Sequence, residues 1–281
     1  MEYKDFKNKL DKKIKIDEFF WTNFIKGLLK DSKRICSDYR VSPIEVKILQ
    51  NITQSNEIKF GDFLEDIITE YFNELNFENI SKHIIENENV SLKCDQLFFV
   101  NSDKNDLILI EQKVRDDHDS SKIRGQWDNF SRKVEVLKKE YPSKKIVAII
   151  WFIDPLFRSN KKFYIEKIKN YTFSENVYLK LFYEKELFAF LNDYNEKSLE
   201  IFDEIKNNII KYKNELDSKN IIVPDFGKDE EIFSALKNLD KKEIKKLLGN
   251  SENILKLRKT VFNDGENIEK IREFYKINFE E

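Results

Sequence analysis

The chain has 281 residues, 40% hydrophobic and 36% charged, with a formal net charge of -2 and a mean hydropathy of -0.62. That length buries one substantial core and a second small one. A net charge this close to zero excludes a protein that coats nucleic acid nonspecifically, while leaving room for local basic patches. With no signal-peptide pattern, no run of about eighteen apolar residues and only Cys36 and Cys94 as cysteines, the expectation is a cytoplasmic protein with no disulfide and no membrane span.

The first 55 residues read as helical. Phe19, Phe20, Trp21, Phe24, Ile25 and Leu28 form an apolar cluster that must dock on a partner surface. Lys4, Lys7, Lys9, Lys12, Lys13 and Lys15 offer a basic patch, although a solvated helix face is the usual fate of such a run. From Phe60 to Leu75 the apolar residues Phe60, Phe63, Leu64, Ile67, Ile68, Tyr71, Phe72 and Leu75 recur at helical spacing. Glu65 lies on the flank of that stripe, either leaning toward a neighbouring sheet edge or solvated.

Val90 to Val100 reads as a strand, ending at the polar turn Asn101 to Asp106, and Leu107 to Val114 reads as its antiparallel partner. Alternation along the second strand puts Leu107, Leu109, Glu111 and Lys113 on one face. A carboxylate and an ammonium on so apolar a strand need a reason, since an unpartnered buried charge costs several kcal/mol. One reason is a bound cation, with Asp95 reaching the same point from the adjacent strand to give the hard oxygen ligands that Mg²⁺ takes. The alternative is a partly exposed same-face ion pair at a strand end.

In the run Asp116, Asp117, His118, Asp119, consecutive carboxylates cannot converge on one ion, and no zinc spacing accompanies them. Asp119 or Ser120 is expected to cap the next helix, with His118 either shaping the loop or serving as a general base. That helix carries the stripe Trp127, Phe130, Val134, Leu137 and Tyr141, a core face. Lys122, Arg124 and Gln126 sit near its N-terminus, where phosphate is favoured. Arg115 and Arg124 are candidates for phosphate or base contacts, with pairing to Asp116 or Asp117 as the alternative for Arg115.

Residues 145 to 154 are nearly continuously apolar, as for a central strand covered on both faces. Val177 to Tyr183 is a further strand, followed by a short helix through Leu187 and Leu191. Together these elements make a mixed sheet flanked by helices. From about residue 196 the chain is again helical, broken near Ile221 to Gly227. Three short patterns follow, Asp229 to Leu239, Lys241 to Leu248 and Ser251 to Phe262. They suit either a structural cap or dimer surface, or a helix-turn-helix-like reader bringing Lys256, Arg258 and Lys259 to DNA.

The run from Glu111 to Phe130, EQKVRDDHDSSKIRGQWDNF, resembles type II restriction endonucleases of the PD-(D/E)xK nuclease superfamily, and the resemblance extends over roughly residues 58 to 192. It implies an α/β fold: a PD-(D/E)xK restriction-endonuclease-like core, 58–194, with helical extensions at 1–57 and 195–281. By position, Asp95 and Glu111 would hold Mg²⁺, with Glu65 as a further metal ligand, and Lys113 would assist the attacking water. Arg115, His118, Lys122, Arg124 and Gln126 would face DNA. One departure is Cys94, which stands where a proline often precedes the first aspartate.

The implied activity is Mg²⁺-dependent, sequence-specific hydrolysis of double-stranded DNA to 5′-phosphate and 3′-hydroxyl ends, by a homodimer functionally partnered with a cognate DNA methyltransferase. Two alternatives remain: a structure-specific repair or recombination nuclease of the same superfamily, and a DNA-binding protein without catalysis.

Overall fold

A computed structural model describes residues 1–36, 41–100, 104–171, 175–216 and 223–275, without the side chains of Arg34 and Ile35. The expected turn residues Asn101 to Asp103 and the break residues Ile221 and Ile222 lie outside that set. The chain forms two compact units, Met1–Lys7 with Gly61–Asn214, and Asn8–Phe60 with Glu215–Glu281.

The first unit is built on a five-stranded mixed sheet. In chain order its strands are β1 (Glu78–Asn79), then β4 (Gln96–Phe99), β5 (Asp106–Lys113), β6 (Lys145–Phe152) and β7 (Val177–Tyr183), arranged β1-β4-β5-β6-β7. Between β1 and β4, β2 (His83–Asn87) and β3 (Val90–Lys93) pair as a separate antiparallel ribbon. β4 and β5 are antiparallel, with Gln96 opposite Ile110, whereas β5, β6 and β7 are parallel. Parallel neighbours require crossovers. These run through α5 (Ser120–Glu140) and α6 (Lys161–Asn170).

The stretch expected as one strand from Val90 to Val100 is broken at Cys94-Asp95, and its halves belong to different sheets. The reason is local. The Cys94 amide donates to Lys82 O at 2.7 Å, and the Asp95 carboxylate takes the Gln112 amide at 2.8 Å, so a side chain replaces the next backbone rung.

Alternation on β5 works as expected. Leu107 and Leu109 join a core with Trp127, Phe130, Val134 and Leu137 of α5. The opposite face meets the end of a helix longer than the apolar stripe alone suggested, α4 (Ile44–Glu74), whose Phe72 ring lies 4.5 Å from that of Phe98. Every β6 residue after Lys145 is buried, and each such large side chain contributes about 1.5–3 kcal/mol of transfer free energy. Asp119 caps α5, accepting from Ser121 N at 2.9 Å and Lys122 N at 3.0 Å. After β7 come α7 (Glu186–Leu191) and α8 (Ser198–Leu216). Glu204 of α8 receives the Tyr71 hydroxyl at 2.8 Å and pairs with the Met1 ammonium.

The second unit is helical. The N-terminal and C-terminal stretches, read from sequence as separate extensions, share one core there. Trp21, Ile25, Leu28 and Leu29 of α2 (Glu18–Lys30) pack with Ile232 and Leu236 of α9 (Glu230–Lys237), Ile244 and Leu247 of α10 (Lys241–Leu247), Leu257 of α11 (Glu252–Leu257) and Ile268 of α12 (Glu266–Tyr275). α11 continues as a π-helical turn, Arg258–Phe262. Arg258, a candidate DNA contact if this region reads DNA, is instead buried, with Nη1 donating to Leu247 O and Gly249 O at 3.3 Å each. It satisfies carbonyls at the end of α10.

Gly227 and Gly265 bring two backbones together in this unit. A Cβ on Gly265 would stand 2.7 Å from Gly227 O and 2.8 Å from its Cα, which is backbone and cannot swing aside. Gly265→Ala is therefore expected to lower stability by about 1–3 kcal/mol, read as a lower denaturant midpoint by circular dichroism. An unchanged midpoint would show that the contact relaxes freely.

Candidate active site

Asp95, Glu111 and Lys113 converge where β4 begins and β5 ends. Lys113 Nζ donates to Asp95 Oδ2 at 3.0 Å, Glu111 Oε1 at 2.8 Å and Gln112 O at 2.8 Å, which uses all three ammonium donors. The carboxyl ends of parallel strands are where open α/β sheets place ligands. Asp95 and Glu111 are each about 8% exposed. The same-face ion pair read from alternation is thus present, with its carboxylates buried and its ammonium 26% exposed, and it is not confined to two groups.

Sequence reasoning missed a fourth member. Lys133 of α5, with 3% of its side chain exposed, donates from Nζ to Glu111 Oε2 at 2.6 Å. Phe130, Lys133, Val134 and Leu137 follow at i, i+3, i+4 and i+7, so Lys133 stands within the apolar stripe. A lysine at a stripe position, facing a strand that carries a glutamate, was the available signal.

Burial alone would raise the Glu111 pKa, but the charges and hydrogen bonds of Lys113 and Lys133 together hold it below the ordinary value. Burial likewise opposes charge on Lys113, and Glu111 and Asp95 reverse that, raising its pKa and keeping it an ammonium. Cys94, fully buried, has its thiol pushed up to about 12, chiefly by burial, and is an inert packing residue.

Glu65 reaches this neighbourhood from α4. Its pKa is raised, first by burial and then by the negative charge of Asp95, while its nearest described partner is Lys93 at 3.5 Å. Below it, Gln96 ties the helix to the sheet, donating to Glu65 O at 2.7 Å and accepting from Thr69 Oγ1 at 2.8 Å.

Among the described residues no three of His, Cys, Asp and Glu form a ready cage for a metal. A divalent ion that keeps much of its water shell needs only one or two carboxylates. The donors here are hard carboxylate oxygens, and Glu65, its pKa raised first by burial and next by the charge of Asp95, adds a further carboxyl group close by. The chemistry of this donor set, hard carboxylate oxygens, suits a hard divalent ion.

The loop after β5 is pinned. Asp116, 1% exposed, accepts from Asn160 N at 3.1 Å and from the Tyr183 hydroxyl at 2.9 Å, so its role is structural. Arg115 lies 4.0 Å from Asp117 and 5.5 Å from the Phe157 ring centroid. The His118 pKa is lowered by burial and next by the charge of Lys122, leaving the ring neutral at pH 7. Lys122 and Arg124 are exposed on the first turns of α5, whereas Gln126 is half-buried and accepts from the Tyr164 hydroxyl at 2.9 Å. Of the DNA-facing candidates, Gln126 is thus engaged in internal packing.

Residues 78–209 match the family model described as type II restriction endonuclease, HinfI, a span just under half of the chain. Over this span the chain resembles a type II restriction endonuclease. The span holds the strands of the mixed sheet, Asp95, Glu111, Lys113 and Lys133, and the fold is the restriction-endonuclease-like α/β core expected from the motif. No curated protein matches the chain. No described helix is long and apolar enough to cross a membrane.

Proposed function

We propose that the protein is a Mg²⁺-dependent, sequence-specific endonuclease that cuts both strands of double-stranded DNA, leaving 5′-phosphate and 3′-hydroxyl ends. The observation that supports this reading most is the convergence of Asp95, Glu111 and Lys113 within the span matching the restriction-endonuclease family. Asp95 and Glu111 would hold the ion, with Glu65 as an additional carboxylate. Bound there, Mg²⁺ would supply Lewis-acid stabilisation of charge on the phosphate and make water more acidic.

The chain's own groups do the rest. Lys133 fixes one Glu111 oxygen and Lys113 the other, so the carboxylate cannot rotate away. Asp95 is held by the Gln112 amide. Lys113 supplies a positive charge beside the two carboxylates, where the non-bridging phosphate oxygens gain charge in the transition state. Water adds to phosphorus in line with the 3′ oxygen and gives up one proton to bulk solvent, the P–O3′ bond breaks, and a solvent proton reaches the departing oxygen. Lys122 and Arg124, exposed at the N-terminal end of α5, would meet backbone phosphates, with Arg115 and His118 on the loop that precedes the helix. Cutting both strands of a palindromic site favours a homodimer, and a host carrying such an activity needs a cognate DNA methyltransferase.

The test is digestion of a plasmid of known sequence. Discrete fragments with Mg²⁺, absent with EDTA and restored by excess Mg²⁺, are the expected result. Cutting only at junctions or ends would replace this reading with that of a repair nuclease. Binding without cutting under every divalent ion tried would replace it with that of a non-catalytic DNA-binding protein.

A further inference from the structure

The unit formed by Asn8–Phe60 with Glu215–Glu281 contains a cleft of about 520 Å³ whose lining includes Lys12, Lys13, Lys15 and Lys59 together with Phe19 and Phe20. Among the described residues lining it, Asp17 is the single carboxylate. That carboxylate is already engaged: Oδ1 caps α2 by accepting from Phe19 N and Phe20 N at 3.1 Å each, and Oδ2 pairs with Lys15 at 3.0 Å. The described lining therefore holds four lysines against one carboxylate. Phe19 is 63% exposed, and Lys59 Nζ lies 5.0 Å from the Phe20 ring centroid.

Phe19 stands exposed among the lysines of this wall. A lysine cluster alone is most often a solvated face. An aromatic ring beside them adds a face that stacks on a flat base or sugar while the ammoniums meet the flanking phosphates. Neither Mg²⁺ nor the carboxylates of the active site are involved.

We propose that this cleft is a second DNA-contacting surface, outside the span that matches the nuclease family, taking the phosphodiester strand through Lys12, Lys13 and Lys59 with Phe19 against a sugar or base. The choice of DNA over other polyanions rests on the nuclease reading. The cleft contributes binding free energy that is independent of catalysis and salt-dependent.

The test is anisotropy of a labelled duplex in Ca²⁺ across a salt series, with wild type, a Lys12→Gln/Lys13→Gln/Lys59→Gln variant and Phe19→Ala. The triple variant is expected to bind about tenfold or more weakly at physiological ionic strength, with a log–log salt slope shallower by about 2 to 3. Phe19→Ala is expected to weaken binding about fivefold or more without changing the slope. Lys12 and Phe19 are exposed and Lys13 and Lys59 half-buried, so melting curves are recorded for each variant, and Phe19→Ala decides the proposal if the triple variant melts early. Wild-type affinity and slope in the triple variant would overturn the proposal. So would displacement of the duplex by polyglutamate as readily as by unlabelled DNA of equal charge, since the cleft would then answer to charge alone. Plasmid cutting is scored in parallel: a wild type that cuts, with a triple variant that binds normally, removes the cleft and leaves the nuclease. A wild type that binds through the cleft and never cuts removes the nuclease and leaves the cleft.

Discussion

Glu111→Gln is expected to lower Mg²⁺-dependent plasmid cutting by at least about a thousandfold and, separately, to destabilise the fold. The second effect comes from Lys133. Its ammonium, on a side chain 3% exposed, faces Glu111 Oε2 at 2.6 Å, and a neutral amide leaves that charge buried with no counter-charge. Removing one partner of a buried pair costs about 3–5 kcal/mol, and the low end applies because the amide oxygen still accepts. Glu111→Gln/Lys133→Met removes both charges and should recover most of the lost stability, since a methionine fills the same apolar stripe. It should recover none of the cutting, because the carboxylate is still missing. Denaturant midpoints and single-turnover rates on the four proteins of this cycle separate the two effects. A double variant that cuts would remove Glu111 from the site, and a Glu111→Gln protein as stable as wild type would show that Lys133 does not depend on it.

Legibility differed by element for physical reasons. Period-two alternation on β5 placed Glu111 and Lys113 together because both neighbours of that strand are apolar and the register admits no slip. β6 and β7 were legible as runs of strand length with polar flanks. The break between β3 and β4 was not, because it is made by a side chain: Asp95 takes the Gln112 amide, a contact between residues seventeen apart in sequence. Lys133 was hidden by the habit of reading an amphipathic stripe through its apolar members only. The sharing of a core by α2 with α9, α10 and α11 is a long-range pairing, and periodicity within each helix shows which face is apolar without naming its partner. Arg258 looked like a surface cation beside Lys256 and Lys259, and only the fold reveals that it closes the end of α10.

Lys113→Met is expected to reduce cutting by about 10²–10⁴-fold while strengthening the binding of a divalent ion measured with Ca²⁺ in the absence of turnover. The ammonium touches Asp95 Oδ2 and Glu111 Oε1 at once. It therefore occupies the charge-neutralising position that a divalent ion would compete for, and it also supplies positive charge toward the substrate. Methionine keeps the volume and removes both functions. Only Lys133 then offsets the repulsion between the two carboxylates, which favours ion binding. Calorimetry of Ca²⁺ binding and single-turnover cutting report the two consequences independently. Tighter Ca²⁺ binding together with lost cutting assigns the lysine to the reaction itself. Weaker Ca²⁺ binding would mean that the lysine builds the site, holding Asp95 and Glu111 where an ion can reach them. Cutting at the wild-type rate would leave it a counter-charge with no part in catalysis.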